Sequence, residues 1–130
     1  MRDIKIKALR EETLGEIKEE TVSLEAFQNN CLRPILKFNN TIILALFKMY
    51  INQYKNVYFN LSLQKKEVYI ENAFLKDAKF KNKAIGSVLG LMTLEEFSFY
   101  TSHKSDCNKR ISSLLVERVK SQMQLFESNL

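Results

Sequence analysis

Tryptophan is absent from this chain of 130 residues, and histidine and proline occur once each, cysteine twice and glycine three times. So few glycines and prolines cannot supply the many tight turns of an all-β sandwich or barrel, so long helices are expected. One histidine (His103) and two cysteines (Cys31, Cys107), with no CxxC or HExxH spacing, give no zinc-ligand pattern; neither a metal nor a cofactor is expected. Two isolated cysteines are not the disulfide framework of a small secreted domain, which points to reduced thiols and a cytoplasmic location. The opening MRDIKIKALREE has no apolar core of the signal-peptide kind. The longest apolar run, 42–47, falls far short of the about twenty residues that a bilayer-spanning helix needs. Nucleophile elbows, phosphate-cradling glycine loops and dinucleotide fingerprints are missing too.

What is present is ordinary globular material: 45% hydrophobic and 27% charged residues, enough for one domain over 1–130. The charge is divided. Residues 1–30 carry five Lys/Arg against seven Asp/Glu, whereas 31–130 carry fifteen against eight. An acidic arm (1–22) therefore precedes a basic body (23–126), which suggests pairing between the two or an anionic partner for the body.

Apolar periodicity predicts an all-α bundle of about five to six helices. The arm carries a thin stripe of Ile6, Leu9, Thr13 and Ile17 over a helix at 3–20, with Glu12, Glu16 and Glu20 repelling at four-residue spacing. Ser23 is a good N-cap for Leu24, Phe27 and Cys31. Pro34 should then either kink a helix over 24–54 or stand in the first turn of a new one, with Arg33 biased away from the α region. At about 100° per residue, Phe38, Met49, Ile42, Ile35, Leu46, Tyr50, Ile43, Tyr54 and Phe47 share one face. Asn39 falls in the middle of that face and Asn40 at its edge, so Asn39 should have a definite partner. KNVYFN (55–60) reads as extended, or one short strand. Further helices are expected over 63–75 (Ser62 cap; Val68, Tyr69, Phe74, Leu75 inward) and 77–92 (Phe80, Ala84, Ile85, Val88, Leu91, Met92 inward). A third begins at the capping box Thr93–Glu96, with Phe97 and Tyr100. The last, 107–126, starts at Ser105 or Asp106 and carries Ile111, Leu114, Leu115, Val119 and Phe126.

Three constellations bear on function. Arg118 lies within the apolar arc of the last helix and, with Arg33, Asn39 and Asn40, makes a candidate polar pocket for an anion. Gly86 and Gly90 lie opposite the core face of the 77–92 helix, flanked by Lys79 and Lys83. Glycine inside a helix costs about 0.5–1 kcal/mol relative to alanine, so an outward pair suggests close approach by a partner subunit or by the arm. His103 and Cys107 stand four residues apart in a polar turn, a weak candidate for thiolate activation.

The segments LRPILKFNNTIILALF (32–47), KDAKFKNKAIGSVLGLMTLEEFSFY (76–100) and KRISSLLVERVKSQ (109–122) resemble a family of small helical bacterial proteins, some of them labelled glyoxalase. The resemblance covers about 23–125 and implies no catalytic residues. Glyoxalase chemistry uses βαβββ modules with His and Glu ligands, which a helical chain with one histidine does not offer. The reading favoured by the sequence is a non-enzymatic interaction module that self-associates. A nucleic-acid or ribosome-associated basic protein, using Lys76, Lys79, Lys81 and Lys83, and a small-molecule-binding bundle are the alternatives.

Overall fold

The computed structural model describes residues 1–10 and 23–126. The described residues form seven helices and no strand: α1 (Arg2–Leu9), α2 (24–38), α3 (Asn40–Gln53), α4 (Leu63–Leu75), α5 (Ala78–Leu89), α6 (Leu94–Ser102) and α7 (Lys104–Lys120). Short 3₁₀ turns at Val57–Asn60 and Met123–Phe126 complete the bundle. The count exceeds the expected five to six because the long central helix is divided at Asn39.

That division has a physical origin different from the one expected. Proline at 34 has no N–H for the carbonyl of Asn30, four residues back. The chain widens into one π turn over Gln28–Leu32, and the Arg33 N–H donates to Gln28 O. Regular α geometry then runs over Arg33–Phe38, and Arg33 itself is helical (φ −63°, ψ −45°). The Asn30 carbonyl accepts a bond from Arg10 Nη2 at 3.4 Å. Pro34 thus stays inside a continuous helix, and the interruption comes at Asn39 (φ −93°, ψ 13°).

Helical hydrogen bonds nevertheless bridge the interruption, from the Asn39 N–H to Ile35 O and from the Ile43 N–H to Asn39 O, and the buried face continues across it. Leu32, Ile35 and Leu36 are buried on α2, and Ile43, Phe47 and Ile51 on α3. Phe38, Ile42, Met49 and Tyr54, assigned to the core by an unbroken wheel, are exposed instead. Phe47 sits at the centre of an aromatic cluster. Its ring centroid lies 5.3 Å from Phe126, 5.5 Å from Tyr58, 5.8 Å from Phe74 and 6.1 Å from Tyr69.

KNVYFN is not extended. Lys55 and Asn56 both take φ 60°, reversing the chain into a 3₁₀ turn that buries Tyr58 completely. The Lys66 ammonium lies 5.3 Å from the Tyr58 ring centroid, and its stem is buried with it. On α4 the inward residues are Ile70, Ala73 and Phe74; Val68 and Leu75 face out.

The second half follows its local signals more closely. Ser62 caps α4 through the Lys65 N–H, Asp77 caps α5 through the Phe80 N–H, and Thr93 and Glu96 form the reciprocal capping box of α6. Phe80, Ala84, Ile85, Val88 and Met92 are buried, as are Ile111, Leu114, Leu115, Val119 and Phe126. Phe97 is exposed while Tyr100 is buried. The last helix begins at Lys104, before Ser105, with no side-chain cap.

The described part of the acidic arm docks on the body. Three carbonyls just past the end of α5 accept from arginines of the arm: Arg2 reaches Met92 O at 2.7 Å and Gly90 O at 3.0 Å, and Arg10 reaches Leu91 O at 3.0 Å. Asp3 accepts the Leu94 N–H of α6 at 3.1 Å. Cations therefore sit at the negative end of one helix and a carboxylate at the positive end of the next. Thr13 and Ile17 of the predicted stripe lie outside the described residues, Ile6 is buried and Leu9 is exposed.

Candidate functional site

The structure brings Arg33 and Arg118 together, but not with the two asparagines as equals. A groove of about 570 Å³ opens between α1, α2 and α7. Leu9 and Arg10 line it from the arm, Arg33, Lys37 and Phe38 from α2, and Arg118 from α7. Arg33 and Lys37 are one turn apart, so they project from the same face of α2. Burial lowers the Arg118 pKa, and the neighbouring Arg33 charge lowers it further, partly offset by Glu117.

Asn40 lies beneath this groove as a positioning group. Its Nδ2 donates to Gln122 Oε1 at 2.9 Å, while its Oδ1 accepts from Gln122 Nε2 at 2.8 Å and from Arg118 Nη1 at 3.1 Å. Gln122 Nε2 also reaches Arg118 O at 3.1 Å. One amide thereby fixes the guanidinium of Arg118 and ties α3 to the end of α7. Asn39, by contrast, is half-buried and makes one long side-chain bond, Nδ2 to Ser87 O at 3.5 Å. The definite partner belongs to the adjacent residue. Asn40→Ala is expected to cost about 1–2 kcal/mol in a urea unfolding experiment, since it orphans partly buried donors, whereas Asn39→Ala should cost under about 0.5 kcal/mol.

Arg10 was not among the residues singled out from sequence, yet it joins more elements than any of them. Nη1 and Nη2 make a forked ion pair with Glu96 at 2.7 and 2.9 Å. The Arg10 side chain is fully buried and that of Glu96 nearly so. Burial pushes the Glu96 carboxyl upward, but bonds from Arg10 and the Thr93 amide outweigh it and hold the group below its usual range. Residues 86 apart in the chain could not be paired by reading local patterns; only the capping box that prepares Glu96 was visible.

The predicted interface face is open. Gly86 and Gly90 are exposed, as are Lys79 and Lys83, and no atom lies within 4 Å of where a Gly86 Cβ would be. Within the described residues no backbone has come close to Gly86, and the arm meets Gly90 only through Arg2 at its carbonyl.

The His103–Cys107 pair is not set up for catalysis. The imidazole stacks on Phe99 with ring centroids 4.2 Å apart, and Cys107 is fully buried, its thiol pushed up by burial and by Asp106. Neither cysteine is in a disulfide. Among the described residues no cluster of His, Cys, Asp or Glu could hold a metal, and no helix is long and apolar enough to cross a membrane.

Comparison with protein-family models, with curated proteins and with solved structures found no match. Function is therefore argued from the geometry.

Proposed function

We propose that the protein is a non-enzymatic helical interaction module that pairs with a second copy of itself. The observation that carries this reading is the outward face shared by the end of α2 and α3. Phe38, Ile42 and Met49 are 46%, 52% and 39% exposed and recur at spacings of four and seven residues. That is the periodicity of a helix-pairing seam. Asn39, beside Phe38, bonds to the Ser87 carbonyl, so the seam starts next to α5 and its bare glycine face. Small residues there leave room for a partner helix to approach. The described part of the arm is docked on its own chain and so does not bridge two copies.

The test is the mass in solution across micromolar to millimolar protein, by size-exclusion chromatography with light scattering. The wild type should show a concentration-dependent dimer. Ile42→Glu combined with Met49→Glu, both at exposed positions, should give a monomer with unchanged helical circular dichroism. A wild type that stays monomeric throughout the range rules the reading out.

A further inference from the structure

The groove between α1, α2 and α7 shares Phe38 with the outward apolar face but has a chemistry of its own. Four cationic side chains, Arg10, Arg33, Lys37 and Arg118, converge on it from three helices, and no acidic side chain is among its described lining residues. Arg10 is held by Glu96, and Arg118 keeps one Nη on the neutral Asn40 amide. Arg33 and Lys37 are exposed, and among the described residues neither is in an ion pair. Like charges gathered in a concave, partly dehydrated site repel one another, and the burial of Arg118 sharpens the effect. An anion seated between Arg33 and Arg118 would reverse the sign of that interaction.

The donors present suit one anion class. Guanidinium offers planar, forked N–H pairs that match phosphate oxygens, and a lysine one turn away adds a point charge. The walls are not wholly polar: Phe38 and Leu9 supply apolar surface beside the cations. A volume of about 570 Å³ is of the size that takes a small molecule. We infer that this groove is a binding site for a small organic phosphate, its phosphoryl group between Arg33, Lys37 and Arg118 and its apolar part against Phe38. A nucleic-acid strand would also satisfy the cations, but they gather around one groove with apolar surface from Phe38 and Leu9 beside them, which favours a compact ligand.

Adenosine monophosphate, inorganic phosphate and a short single-stranded RNA serve as probes in calorimetric titrations at low salt. Adenosine monophosphate should bind saturably. Arg33→Gln and Lys37→Gln, at exposed positions, should each weaken it by about tenfold with the melting temperature unchanged. Phe38→Ala should weaken the nucleotide and leave inorganic phosphate as it was. Absence of saturable binding of either phosphate overturns the site. Binding indifferent to Arg33→Gln and Lys37→Gln does the same, as does a Phe38→Ala variant that binds the nucleotide as the wild type does. RNA bound more tightly than the nucleotide, through these same residues, would overturn the small-ligand assignment.

Discussion

Glu96→Gln should lower the free energy of unfolding by about 3–5 kcal/mol, the cost of breaking a buried ion pair by removing the charge of one partner. The substitution conserves shape and one acceptor oxygen, so the loss reports the ion pair rather than a cavity. Arg10 would stay fully buried beside the Leu91 and Asn30 carbonyls without the Glu96 carboxylate, and the capping box of α6 would weaken. The pH dependence has a definite sign. Because the folded carboxyl titrates below its ordinary value, its contribution is present above the unfolded-chain value of about 4.3 and disappears as pH falls through the folded one. Urea unfolding of both proteins between neutral and strongly acidic pH should show the gap closing as acid is added. A gap that stays constant, or a variant as stable as the wild type at neutral pH, would contradict this account of Arg10.

The second large effect is expected at Phe47. Truncation to alanine should cost about 3–5 kcal/mol, because the ring is fully enclosed and its neighbours come from three other segments of the chain. Tyr58 and Phe126 lie in 3₁₀ turns, whose few internal hydrogen bonds cannot hold them in place alone. Phe47→Leu should cost markedly less, since it keeps most of the volume. Near-ultraviolet circular dichroism gives a second readout: the alanine variant should lose much of the tyrosine signal before the helices melt. An alanine variant within about 1 kcal/mol of the wild type would mean that the cluster closes over the void.

Much of the second half of the chain was legible in the sequence, for a reason visible in Ser62, Asp77 and Thr93. A cap is decided by residues three positions apart, and α5 and α7 repeat their buried residues without interruption. The central stretch departs from expectation at the edge of its apolar face. A wheel gives the direction of an apolar arc but not how much of it is covered, and Phe38, Ile42 and Met49 lie together at its uncovered edge while Ile35, Leu36, Ile43 and Phe47 are buried. Asn39 and Asn40 are identical in type and adjacent, so no local signal separates the long bond of one from the network of the other. In the groove, Arg33 and Arg118 were marked by being charged beside apolar residues. Lys37 and Arg10 carried no such mark, because their roles depend on which helix lies opposite. The bare face at Gly86 was readable because a helix interior that tolerates glycine has no local reason to do so.

The docking of α1 also constrains the order of events during synthesis. Besides the Asn30 carbonyl, its anchors are the carbonyls of residues 90 to 92, the amide of Leu94 and the carboxylate of Glu96, about ninety positions downstream. An isolated helix of eight residues is too short to persist in water. During synthesis α1 thus leaves the ribosome well before α6 and must wait until the start of α6 has emerged before these contacts can form, a long loop closed late.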